Sequence, residues 1–166
     1  MRSRIAVPFV ALTAVSAFAP SIASAEERTC RGTLGAVTVD NLRVPDGASC
    51  TLNRTQIKGT LKVERGATLR ATAIRVVGNV QGENHRSVGI SGGSRINGSV
   101  QIKQGGAFSF DRNIVGSDVQ ISTNRGAIVL NRNRIDGNLQ CKENRPAPTG
   151  SGNVVQGNKE DQCARL

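Results

Sequence analysis

One short pattern recurs six times along this chain: an apolar residue, any residue, a glycine, a polar residue, then Leu or Val. It reads Ile57-Lys58-Gly59-Thr60-Leu61, Val76-Val77-Gly78-Asn79-Val80, Ile96-Asn97-Gly98-Ser99-Val100 and Ile135-Asp136-Gly137-Asn138-Leu139, with looser copies beginning at Val115 and Val155. The leading residues lie 19, 20, 19, 20 and 20 apart. Self-similarity at a fixed period near 20 means stacked copies of one supersecondary unit.

Within a unit, apolar and polar residues alternate over short runs such as Leu61-Lys62-Val63 and Val100-Gln101-Ile102, which is a strand signal. Gly47-Ala48, Gly66-Ala67, Gly106-Ala107 and Gly126-Ala127 recur between the runs as corners. Short strands with a corner every few residues at constant period predict an all-β chain. The expected form is a single parallel β-solenoid, a right-handed β-helix of about 19–20 residues per turn, with six to seven turns and disulfide-stapled ends. Frequent Gly and β-branched residues, with no 3.6-residue apolar period, argue against helix after residue 25.

The period predicts inward ladders. One runs Ile57, Val76, Ile96, Val115, Ile135, Val155; a second runs Leu42, Leu61, Val80, Val100, Val119, Leu139; a third holds Val44, Val63, Ile102 and Ile121, broken by Gly82 and Cys141. Between the last two lies an outward row, Lys62, Gln81, Gln101, Gln120 and Gln140, whose glutamines are expected to pass amide hydrogen bonds along the stack. Two departures from the repeat stand out. Glu83-Asn84-His85-Arg86 replaces a Gly-Ala corner and is expected to protrude as a loop, and 142–153, with Pro146, Pro148, Gly150 and Gly152, reads as an irregular excursion.

Residues 1–25 read as a secretory signal peptide: Arg2 and Arg4, an apolar run from Ile5 to Ala19, then Ala23-Ser24-Ala25. The run is short of the ~20 residues that span a bilayer, so no transmembrane anchor is expected after its removal. Residues 26–166 then form one domain, with the repeat core over about 30–160, exported to the outside or to the cell envelope. This domain keeps 20 of the 22 basic residues and all 12 acidic ones, a formal charge of +8. Charge of that size favours anionic partners such as cell-wall polymers, phospholipid surfaces or nucleic acid, and an anionic cell-wall polymer or polysaccharide is the partner expected.

Four cysteines in an exported chain are expected to be oxidised. Cys30 and Cys50 are 20 apart, one turn, which places their Cα atoms about one strand spacing apart, within disulfide reach. Cys141 and Cys163, 22 apart, would tie the C-terminal tail to the last complete turns.

The chemistry-bearing residues are sparse. His85 is the only histidine and is read as a surface residue of the predicted loop; no acid and nucleophile are spaced around it as a triad requires. Asp111, Asp118 and Asp136 are scattered, unlike paired glycosidase carboxylates or a calcium site. Phe108 and Phe110 are the only aromatic residues after residue 25, and alternation is taken to turn one in and one out. At most one ring is left for stacking, which argues against specific nucleic-acid reading. The chain is therefore expected to be non-catalytic, with no cofactor and no metal. The candidate binding surface is the outward row Arg75, Arg95 and Arg134 together with Gln81, Gln101, Gln120 and Gln140. Outward threonines such as Thr55, Thr60 and Thr68 do not repeat down the stack, which ranks an ice-binding role last.

In runs such as Gly66-Ala67-Thr68-Leu69 followed by Val76-Val77-Gly78-Asn79-Val80-Gln81, the chain resembles short right-handed β-helix proteins of the bactofilin type and the pectate-lyase-like class. The resemblance implies the fold and says little about activity. An export signal and disulfides depart from bactofilins, and the short length and missing acidic metal cluster depart from the lyases. The function expected is a secreted, bacterial, non-catalytic structural or binding module at the cell envelope. A small polysaccharide-active enzyme using Arg or Lys as base is the alternative, followed by a self-assembling filament.

Overall fold

The computed structural model describes residues 26–166; the expected signal peptide lies outside them. Every described element is a strand, and every strand pairing is parallel. One turn contributes one strand to each of three sheets. In the fourth turn these are Val80–Glu83 in sheet A, Ser87–Ser91 in sheet B and Arg95–Ile96 in sheet C. Sheet A has eight strands and sheets B and C seven each, so the chain is a three-sided parallel β-solenoid of about seven turns.

The register follows the period residue by residue. Val39, Ile57, Val76, Ile96, Val115, Ile135 and Val155 are successive Cα partners in sheet C, and Leu42, Leu61, Val80, Val100, Val119 and Leu139 in sheet A. Nearly all of these side chains are buried, and fully burying one such aliphatic contributes about 1.5–3 kcal/mol. Sheet B adds Leu52, Leu69, Ala71, Val88, Ile90, Phe108, Phe110, Ile128 and Leu130 to the same core. Phe108 and Phe110 do not divide between the faces as expected. Residues two apart on a strand share a face, so both rings are buried and stacked, their centroids 5.5 Å apart.

The glycine of the founding repeat is needed for close approach. A Cβ at Gly78 would stand 2.6 Å from the Gly59 carbonyl oxygen, and one at Gly98 the same distance from that of Gly78. At these two positions the stacked turns pass too near one another for a Cβ, whereas in the fifth turn Ser117 holds the same repeat position and Gly116 makes the close approach, 2.6 Å from the Asn97 carbonyl oxygen to where its Cβ would stand.

The predicted protrusion at Glu83–Arg86 is absent. The chain turns tightly between Val80–Glu83 and Ser87–Ser91, with Asn84 in the left-handed region at φ 51° and His85 packed inside the corner. The stretch 142–153, read as irregular, still supplies one in-register strand: after a cis Arg145–Pro146 bond, Thr149–Ser151 pairs with Val129–Asn131, and the next strand, Val154–Val155, pairs with Arg134–Ile135.

Both disulfides are present, Cys30–Cys50 and Cys141–Cys163, with Cα separations of 5.7 and 5.2 Å. Neither joins register partners. Gly32 stands opposite Cys50, and Asp161 opposite Cys141, so each bridge reaches two residues past the end strand and pins the adjoining corner.

Candidate functional site

Asparagines hold the corners from inside, a feature that the repeat pattern did not reveal. Between sheets B and C, Asn113, Asn133 and Asn153 stack one turn apart, all buried. Asn133 Nδ2 donates to the Phe110 carbonyl at 2.8 Å and to Asn153 Oδ1 at 3.0 Å, while its Oδ1 accepts the Asn113 backbone N–H at 3.0 Å. Ser94 continues the ladder, its N–H donating to Asn113 Oδ1, and Thr55 opens it with its hydroxyl on the Gly35 carbonyl at 2.8 Å. Between sheets A and B, Asn124, Asn144 and Gln162 do the same. The sequence signal was the recurrence Asn113, Asn133, Asn153 and Asn124, Asn144 at the repeat period, each just after a residue with positive φ.

His85 occupies the ladder position one turn below Gly105, which abuts its ring. It is 2 % exposed, not a surface residue, and neither ring nitrogen has a hydrogen-bond partner. Burial pushes its pKa below the ordinary 6.5, with the Ala107 backbone a smaller opposing influence. The imidazole is enclosed in the corner and away from the outward rows.

The surface rows lie on separate faces. Lys62, Gln81, Gln101, Gln120 and Gln140 are successive Cα partners on the outside of sheet A, with Arg43 before and Glu160 after them. The glutamines are not hydrogen-bonded to one another; Gln140 instead donates to Glu160 at 2.9 Å. The expected amide relay runs through the buried asparagines, where water does not compete for the amides. Beside the row, a depression of about 410 Å³ is lined by Lys62, Glu64, Arg65, Gln81, Glu83 and Asn84, charges of both signs.

Arg75, Arg95 and Arg134 lie on sheet C, across a corner from the glutamines, so the structure does not bring the two groups into one site. Arg75 and Arg95 are Cα partners, but Ile114 stands between Arg95 and Arg134, which pairs with Asp136 at 3.4 Å. Asp118 is structural: its Oδ1 accepts the Asn138 backbone N–H at 2.8 Å. Sheet B presents a third kind of surface. Ser49, Thr68 and Ser87 are register partners on its outside, followed by Ala107, and Asn53, Thr72 and Ser91 form another polar row; Thr68 stands beside serines with no second threonine in its row, and Thr55 is buried.

Among the described residues no group of three or more His, Cys, Asp or Glu side chains is placed to hold a metal ion, and no helix is long and apolar enough to cross a membrane. The fold and its surfaces define a class, the disulfide-stapled parallel β-solenoids with polar ladders in their corners. Beyond that class, the chain matches no protein-family model, no curated protein and no solved structure.

Proposed function

We propose that this chain is an exported, non-catalytic binding module that holds anionic polymers of the cell envelope. The observation that carries the reading is Arg75 stacked on Arg95 as Cα partners, with no acid within ion-pair distance of either among the described residues. They belong to a domain of formal charge +8 whose outward rows are fixed by register. Like charges one strand spacing apart repel, and a bound polyanion offsets that repulsion while gaining multivalent contacts. Two disulfides fit a non-reducing compartment, in keeping with export. Cosedimentation of residues 26–166 with purified bacterial cell wall tests the proposal. Retention at about 150 mM salt that is released at higher salt supports it, and no retention removes it.

A second reading, adhesion to an ordered polar lattice such as ice, is favoured by the short polar rows of sheet B, one of Ser49, Thr68 and Ser87 and one of Asn53, Thr72 and Ser91. Thermal hysteresis in dilute buffer supports that reading, and ice growth unchanged by the protein dismisses it.

A further inference from the structure

We infer that one edge of the prism, where sheet B turns into sheet C, is an arginine track that takes a linear polyanion lying along the solenoid axis. The inference rests on the charge-based reading above and gives it a location, an orientation and a ligand chemistry.

Two outward rows run side by side along this edge. One is the left-handed corner residue of each turn, and the other is the first residue of each sheet C strand, two positions later. Where one row lacks an arginine, the other supplies it. The second turn has Arg54, the third Arg75 beside Ala73, the fourth Arg95 beside the left-handed pair Gly92-Gly93, the fifth Arg112 beside Ile114, and the sixth both Arg132 and Arg134. Five consecutive turns thus each present a guanidinium, and these two rows hold no lysine. At about 4.8 Å per turn, the first and last lie roughly 19 Å apart.

The counter-charge is small. Asp111 is shared by Arg112 at 3.0 Å and Arg132 at 2.8 Å, and Asp136 pairs with Arg134, while Arg54, Arg75 and Arg95 have no acidic partner among the described residues. Six guanidiniums against two carboxylates leave a net +4, half the formal charge of residues 26–166. The opposite edge, between sheets A and B, differs. Its arginines Arg65, Arg86, Arg125 and Arg145 are interrupted by Gly106 in the fifth turn, and Asp46, Glu64, Glu83 and Glu143 offset them.

The ligand chemistry follows from the side chains. Guanidinium forks bind phosphate and carboxylate oxygens bidentately, and Arg is favoured over Lys where that geometry matters. One cation per turn along a rigid axis suits a chain of anionic groups better than a single anion, because each contact after the first is intramolecular. With Phe108 and Phe110 buried, the edge has no aromatic ring on which a sugar or base could stack, so the polymer's phosphate or carboxylate groups are what it recognises.

The test compares two triple variants of equal charge. Arg54→Gln/Arg75→Gln/Arg95→Gln strips half of the track without breaking an ion pair; Arg86→Gln/Arg125→Gln/Arg145→Gln removes the same charge from the opposite edge. Binding of long-chain polyphosphate and of polygalacturonate is titrated calorimetrically from 50 to 300 mM salt, with urea midpoints of both variants recorded. The track variant is expected to bind at least tenfold more weakly, with a log K against log salt slope shallower by about two, three contacts at roughly 0.7 each. The control variant is expected within twofold of the unaltered protein. Preference for one polymer assigns the oxyanion as phosphate or carboxylate. Equal weakening of both variants would overturn the track while leaving the charge-based reading standing. Failure of the unaltered protein to bind either polymer at 100 mM salt would overturn both.

Discussion

Truncating Asn133 to Ala asks how much the corner ladder contributes to the fold. The amide of Asn133 satisfies the Phe110 carbonyl and the Asn113 backbone N–H, and it bonds Asn153 Oδ1, which the Asn133 backbone N–H also reaches at 3.1 Å. Its removal leaves two backbone groups, one carbonyl and one N–H, without those partners in a corner where Asn133 itself is 1 % exposed. An unsatisfied buried polar group costs about 1–3 kcal/mol, so Asn133→Ala should cost about 2–6 kcal/mol. Asn131 provides the control. It is the same residue type two positions earlier, half-buried, and its Oδ1 accepts an exposed bond from the Ser151 N–H at 3.1 Å. Asn131→Ala should cost less than about 1 kcal/mol. Urea unfolding of the oxidised proteins, followed by circular dichroism, gives both values. If the two substitutions cost the same, or if Asn133→Ala costs under about 1 kcal/mol, the ladder is not what holds the corner and the reasoning fails.

Three further outcomes follow from the packing. Replacing Cys30 and Cys50 by Ser reopens a loop near 20 residues, a loss of about 3 kcal/mol in the chain-entropy model; hydrogen exchange should show the first turn, 27–39, opening while turns three to six stay protected. Gly98→Ala forces a Cβ to within 2.6 Å of the Gly78 carbonyl oxygen and should lower the melting temperature by several degrees, whereas Ala at the open position Gly35 should change it little. Because burial holds the folded pKa of His85 below 6.5, the neutral ring is the form the fold accommodates. Its contribution is present above about pH 6.5 and lost as pH falls through the depressed folded value. His85→Asn should therefore flatten the decline of the urea midpoint between pH 7 and 5, and an unchanged pH profile would contradict the burial argument.

Much of the fold could be read from the chain because a solenoid's register is its period. Once Ile57, Val76 and Ile96 are seen 19 and 20 apart, Lys62, Gln81 and Gln101 must stack as well. What the period could not show is which outward or corner position does what. Asn113 and Gln101 both recur at one-turn spacing, but only the first is enclosed by the corner, so the amide relay was expected on the wrong row. Glu83–Arg86 lacked the Gly-Ala signature, yet Asn84, one register position before the residue level with Gly66, takes the left-handed conformation and turns the corner. Composition hid the arginine edge for a similar reason: Arg54 and Arg75 are 21 apart, not 19 or 20, and align only once the corner is seen to place residues two apart on one edge.

The most direct measurement of the central claim is the backbone amide footprint of long-chain polyphosphate on isotopically labelled residues 26–166, read by nuclear magnetic resonance. The prediction is a saturable set of shifts centred on Arg54, Arg75, Arg95, Arg112 and Arg132–Arg134, so that the footprint repeats along the sequence about every 20 residues. Such periodicity requires both stacked turns and a ligand running along their axis. A footprint confined to one contiguous segment, or one centred on sheet A or sheet B, would contradict it.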